Sequence, residues 1–314
     1  MSHSANETTR SLCGLGMLLP ALLLNAACTS AADDYDRAVR EAEIMEWRDS
    51  RRASLLAPTG FLSLAGLFWL DTATATFGSA PDNDLVFPAP ADPHLGVFRV
   101  TGDGVVMEPR PGVAVFSADE PAGDMLIADD TTDDPVMINH RSLAWTVIKR
   151  DSRYAVRLRD FENPALDSFP PLQYFPIDPA WRLEATLERY AEPRRVGANT
   201  VIEGLGWSPE SPGVAEFRKD GETYRLEAYA SGERLFFVFG DRTNGDETYP
   251  AGRFLYTAMP GDDGRIVLDF NRAYSPPCAF NDFSTCPVAS PRNRLPVRVT
   301  AGELFNPDAY IGSH

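Results

Sequence analysis

Between Arg253 and Glu303 the chain concentrates side chains able to grip an anion or move a proton. Asp269, Asn271, Arg272 and Tyr274 leave an apolar run, Ile266-Val267-Leu268, just ahead of Pro276-Pro277, while Arg253 precedes this group and Arg294 and Glu303 follow it. A fixed guanidinium pairs with a carboxylate or phosphate through parallel hydrogen bonds, and a nearby carboxylate can act as general base. Arg253, Asp269, Asn271, Tyr274, Arg294 and Glu303 are therefore the candidate ligand-binding residues, and Asp269 and Glu303 the candidate catalytic carboxylates. If neighbouring strands pair, Arg253 lies beside Asp269. The competing reading is structural, since a buried arginine and carboxylate often only fasten a loop to a barrel.

Cys278 and Cys286 enclose a nine-residue loop. In an exported chain such a pair reads first as a disulfide, which on chain-entropy grounds contributes about 2.6 kcal/mol. Free structural thiols, or thiols serving as metal ligand or nucleophile, are the alternatives. A zinc site normally brings Cys or His in close pairs. None occurs here and no metal is assigned, although Asp269 or Glu303 would supplement two thiolates. Other chemistries lack their residues. His94 and His140 read as ordinary surface or loop positions, no Gly-x-Ser-x-Gly is present, and Gly204-Leu205-Gly206 has no third glycine to make a dinucleotide loop. Asp241 to Glu247 has the composition of a calcium loop without its register, and reads as a polar turn.

The first thirty residues address the chain rather than build its fold. Leu12–Leu24 is an apolar run behind Arg10, shorter than the roughly 20 residues of a membrane span. Ala26-Ala27-Cys28 follows, in the manner of a lipoprotein processing site. The expectation is a signal peptide over 1–27, lipidation of Cys28, and a periplasmic protein of the cell envelope held to the membrane by its lipid. With 29 Lys+Arg against 45 Asp+Glu the net charge is −16. Such a body repels phosphate backbones and excludes nucleic acid as a partner.

The elements that must position these residues are mostly strands. Asp33 and Asp34 can cap a helix over about 35–54, with Tyr35, Ala38, Ala42 and Met45 as its apolar stripe. After Pro58, Gly, Pro and Asp recur between short β-branched and aromatic runs, the pattern of an antiparallel β sandwich or open barrel. Hairpins are expected about Gly102-Asp103-Gly104, between Leu143–Lys149 and Tyr154–Arg159, and at Asp220-Gly221; Asn244-Gly245 returns Leu235–Phe239 into Tyr249–Tyr256. In the second of these, Tyr154, Val156 and Leu158 share one face and Arg157 and Arg159 the other. Trp181–Glu188 has helical propensity but strict alternation, and is read as a strand. Gly264–Phe270 and Leu295–Thr300 complete the strands, and the Phe61–Leu70 run reads as core.

Gly252-Arg253-Phe254-Leu255, the Asp269–Phe280 segment, Thr285-Cys286-Pro287, Asn293-Arg294-Leu295 and Ala301-Gly302-Glu303 together resemble the signature of a bacterial family known as domain of unknown function 1684. The resemblance is read upstream as well, through Gly60-Phe61-Leu62, Gly66–Leu70, Arg157–Asp160 and Asp241–Gly245. It implies no activity. The expected organisation is a lipid-anchored N-terminus and helix over 28–58, a β portion over 59–140, and a signature-bearing β domain over 141–314. Two functions fit: a module binding a small anionic ligand in a pocket of the 253–303 segment, or a hydrolase using Asp269 or Glu303 with a divalent metal near Cys278 and Cys286. Metabolic labelling with a fatty acid should mark the exported chain and fail on Cys28→Ala; label persisting on that variant would remove the anchor.

Overall fold

The computed structural model describes residues 31–312, with side chains from Asp36 onward. The expected signal peptide and the lipidation site Cys28 lie outside the described residues. A single long helix, Ala31–Leu56, leads into two β units. Its Ala, Glu, Arg and Met content favours helix, and it ends where Ala57 precedes Pro58, a position that disfavours the helical conformation.

The first unit is a sandwich. One sheet orders Leu64–Trp69, Arg153–Asp160, Leu143–Arg150, Met137–His140, Phe116–Ser117 and Glu120–Pro121; the other runs Leu85–Val86, Thr74–Gly78, Gly96–Thr101, Gly104–Pro109 and Met125–Ile127. Pairings are antiparallel except Thr74–Gly78 with Leu85–Val86. Phe77, Phe98 and Met107 of one sheet meet Trp145, Val147, Val156 and Leu158 of the other in one core. The 143–160 hairpin therefore belongs here, and the change of unit falls beyond Asp160 rather than near residue 140. His140, expected at the surface, is 2% exposed in this core, its Nδ1 against the carbonyl of Ala114 at 2.8 Å.

The second unit is a six-stranded antiparallel sheet curled into a nearly closed barrel, in the order Arg253–Ala258, Arg234–Phe239, Glu222–Ser231, Glu210–Lys219, Arg182–Arg195, Arg265–Asp269. First and last strands approach where the Thr257 hydroxyl donates to the carbonyl of Val267 at 2.7 Å. Alternation sends Leu235, Phe237, Phe239 and Leu255 inward, leaving Phe236, Phe254 and Tyr256 on the outer face. The alternating 182–188 segment is a strand, as expected, with its apolar members facing the core.

Leu295–Thr300 is not a strand. It crosses the end of the barrel, held by the buried pair Arg253 and Asp241. Arg253 donates to Asp241 at 2.8 Å, to the carbonyl of Val299 at 2.8 Å and to the carbonyl of Ala301. The other Asp241 oxygen accepts from Val299 N–H and from the N–H and hydroxyl of Thr243. Val299 and Ala301 thus plug the barrel as core residues rather than joining a ladder. Gly302 next takes φ +84°, with two carbonyls where a Cβ would sit, so only glycine fits.

The helix packs on this unit by an unexpected face. Ala38, Ala42 and Met45 are exposed, whereas Ile44, Trp47, Arg48, Arg51 and Leu55 turn inward. Arg48 and Arg51 lie over the rings of Tyr174 and Tyr274 at 4.3 and 4.5 Å, and donate to the carbonyls of Phe175 and Ser275. Their stems add apolar cover to Ile44, Trp47 and Leu55 and their heads supply the anchorage, so the inner stripe is a different one from that expected.

Removing one partner of a sealed ion pair leaves the other charge uncompensated. Asp241→Ala is accordingly expected to cost about 3–5 kcal/mol in urea unfolding, and a loss below about 1 kcal/mol would show that this pair does not hold the barrel end.

Candidate functional site

A trough runs between the helix and the outer face of the barrel, floored by aromatic side chains. Strand alternation sets Phe236 and Tyr256 side by side, ring centroids 4.7 Å apart, with Phe254 edge-on to Phe236 at 4.9 Å. Tyr274 continues the floor through contacts with Phe254 at 5.8 Å and Tyr256 at 6.5 Å, and Trp47 of the helix meets Tyr274 at 6.3 Å. At the far end Trp207 approaches Phe236 at 6.1 Å. Three cavities of about 510, 410 and 230 Å³ follow one another along this floor. The first two share Trp47, Arg234, Tyr256 and Tyr274; the last two share Phe61, Phe236, Phe254 and Pro277.

The charge of the trough opposes that of the protein. Seven arginines line it, Arg40, Arg51, Arg150, Arg157, Arg182, Arg234 and Arg272, against two carboxylates, Glu43 and Asp269. Arg40 is bonded to Glu43 at 2.9 Å, with Arg272 4.0 Å from the same carboxylate, while Arg150 pairs with Asp130 at 2.8 Å and Arg51 with Glu303 at 3.3 Å. Arg234 is exposed and stacks over Tyr256 at 4.3 Å. Guanidinium groups above aromatic faces bind anions while covering apolar rings.

The structure divides the residues proposed from sequence. Asp269 and Tyr274 line the trough. Asn271, 2% exposed, lines an adjoining cavity with Asp269 and Arg182, and its amide bridges both backbone groups of Asp178. Asp269 lies beside Arg182 across the sheet and accepts from Asn271, so the anticipated contact with Arg253 is not made. Arg253 is wholly buried, its two terminal nitrogens taken by Asp241 and the barrel-end plug and its Nε left without a partner. Glu303 is also sealed, receiving Arg51 at 3.3 Å and the N–H of Ser275 at 3.2 Å. Arg294 is exposed beside Gly240 and Asn293, outside these cavities. Trough residues missed from sequence include Trp47, Arg150, Arg157, Trp207, Arg234, Phe236 and Tyr256. The Arg157 and Arg159 face of the hairpin was the one legible hint.

Cys278 and Cys286 are free thiols here, not the expected disulfide. The Cys278 N–H points at the Cys286 sulfur, 3.2 Å away, and both pack as small apolar groups with Phe236, Phe254 and Ala289. Burial pushes the Cys286 thiol up from its ordinary range. Among the described residues no three His, Cys, Asp or Glu side chains gather as a metal-ligand set.

Burial is the largest influence on Glu303 and raises its pKa above the model-compound value of 4.5, with Arg51 opposing. The folded state therefore holds this proton more tightly than the unfolded chain. Its contribution is full below about pH 4.5 and is lost as pH rises through the raised value. The stability of the protein minus that of Glu303→Gln should consequently fall as pH increases from about 4.5. A difference that is flat, or rises with pH, would contradict the assignment; urea unfolding across pH measures it.

A family model described as "Protein of unknown function (DUF1684)" matches residues 167–304. The match covers the barrel unit and stops short of the sandwich, narrower than the upstream span read from sequence. The chain is also similar to an uncharacterized protein from Haloarcula marismortui solved by solution NMR, with 34% sequence identity over 44% of this chain and 78% of that one, and a TM-score of 0.38. No curated protein matches.

Proposed function

We propose, for a chain whose residues 167–304 belong to the DUF1684 family, that the protein is an exported, lipid-anchored module binding a small amphipathic anion in the trough. The observation carrying this reading is the reversal of charge: an arginine-rich lining over a continuous aromatic floor, on a protein of net charge −16. An anion in such a hollow gains charge-assisted hydrogen bonds while its apolar part covers ring faces. An acylated Cys28 would tether the chain immediately ahead of the helix that walls the trough, setting the opening near the membrane surface, where amphiphiles concentrate.

Binding is favoured over hydrolysis by what the carboxylates are doing. Glu303 is sealed against Arg51 and Ser275, and one oxygen of Asp269 is held by Asn271. No histidine lines the three cavities to act as a second proton carrier.

Calorimetric titration with a matched series of anionic, neutral and cationic amphiphiles tests the reading. The anion should bind best and weaken as salt rises, and Arg234→Ala or Tyr256→Ala should each reduce its affinity about tenfold. Equal affinity for the neutral and anionic members would overturn it.

A further inference from the structure

The smallest of the three cavities, about 230 Å³, lies at the seam between sandwich and barrel, and one of its walls is a guanidinium with nothing to bind. Arg157 projects from the strand Arg153–Asp160 on the face opposite Val156 and Leu158, which enter the sandwich core. That face meets the second unit instead of solvent. Among the described residues Arg157 makes no ion pair and no hydrogen bond, and its Nε is buried without a partner. Burial pushes its pKa down to about 10; Arg150 and Arg159 add to the effect, and Asp130 and Cys286 oppose it.

The neighbouring charges leave Arg157 without a bonded counterion, although Asp130 acts on it from a distance. Arg150 carries its own counterion, Asp130, and also reaches the Thr285 hydroxyl at 3.3 Å. Arg159 spends its donors on the carbonyl of Gly60 and the hydroxyl of Ser63, which are uncharged. A buried donor in a folded protein is ordinarily satisfied, and a buried charge is ordinarily paired. At half-buried Arg157 the Nε is sealed without a partner and the charge has no bonded counterion, at the mouth of a cavity that opens past Phe61, Phe236 and Phe254 into the aromatic trough.

We infer that Arg157 is the seat for the carboxylate head of a monoanionic amphiphile whose apolar tail runs along Phe254 and Phe236 toward Tyr256. The assignment rests on the trough being the ligand site and names the ligand's head group and orientation. One free planar fork matches the two oxygens of one carboxylate. A phosphate monoester would bring a second charge and a third oxygen, and the polar groups left to meet them are Arg150, already paired with Asp130, and the hydroxyls of Ser284 and Thr285. The apolar walls suit an unbranched chain.

The test compares octanoate, octyl phosphate and octanol by calorimetry on the folded, full-length mature protein and on Arg157→Gln, Arg157→Lys and Tyr256→Ala. Octanoate should bind the native protein better than either analogue. Arg157→Gln should lose about 10- to 100-fold in octanoate affinity with octanol unaffected, and Arg157→Lys should retain an intermediate affinity. In the ligand-free state Arg157→Gln should melt no lower than the native protein, because an unpaired desolvated charge has been removed. If Arg157→Gln is too unstable to assay, Arg157→Lys against octanoate and octanol decides alone: equal loss for both probes refutes the head-group seat. Octanoate affinity unchanged in Arg157→Gln while Tyr256→Ala abolishes binding would overturn the assignment and leave the trough standing. Tighter binding of octyl phosphate than of octanoate would overturn the carboxylate. Failure of all three probes on the native protein would defeat the trough reading itself.

Discussion

The buried pairing of Arg253 with Asp241 is the constraint from which the site follows. Both side chains are fully enclosed, and together they hold the Val299–Ala301 segment across the barrel end through two backbone carbonyls and one N–H. That crossing delivers Gly302 and Glu303 to the Ala273–Ser275 segment, where Glu303 bonds Ser275 N–H and receives Arg51 from the helix. The chain of contacts is therefore barrel end, C-terminal segment, helix. Because the helix is one wall of the trough, a sealed ion pair away from the cavities fixes the width of the opening. The cost of enclosing two charges is offset here by hydrogen bonds on both partners, which distinguishes this pair from an exposed one worth little.

The charge of the molecule and the charge of its trough work over different distances. At long range a body of −16 repels anions, but at physiological ionic strength that field is screened beyond about 8 Å. Within the hollow, low polarizability strengthens each guanidinium contact. An anion consequently gains nothing from electrostatic steering and gains its affinity only on contact. The aromatic floor then decides which anions stay, since a small hydrated ion cannot use it and an amphiphile can.

Local patterns in the sequence disclosed the ladders, and distant pairings escaped. The 182–188 strand was readable against its helical propensity, because burying Ala185 and Leu187 on one face requires a period of two. The Leu143 and Tyr154 hairpin was equally plain. By contrast, Arg253 lies twelve positions from Asp241, and only the closed barrel with its plug brings them together. Leu295–Thr300 starts to pair, through Leu295 with Gly240 and Val297 with Arg242, and stops short of a strand where the carbonyls of Val299 and Ala301 bond Arg253 instead. The helix misled because Ile44, Trp47 and Leu55 with the stems of Arg48 and Arg51, rather than alanines and methionine, make its inner surface. Asp269, Asn271 and Tyr274 were found from their types, yet the residues that complete the trough come from many separate regions of the chain, including the helix and the sandwich.

That last point bears on how two β units can share one site. Arg157 and Arg150 belong to the sandwich, whereas Phe236, Phe254, Thr285 and Cys286 belong to the barrel unit. With the units apart, the Arg157 guanidinium is hydrated and costs nothing; docking removes part of its water and seals its Nε without supplying a bonded counterion. An anion seated at the seam restores the lost interactions only in the docked arrangement, so its binding free energy adds to the stability of that arrangement. Ligand occupancy and the docking of the units are in this way linked quantities. The family segment of residues 167–304 contains the floor of the trough but neither the helix wall nor the seam arginines. The barrel alone thus offers an aromatic surface, and the neighbouring elements give that surface its depth and its sign of charge.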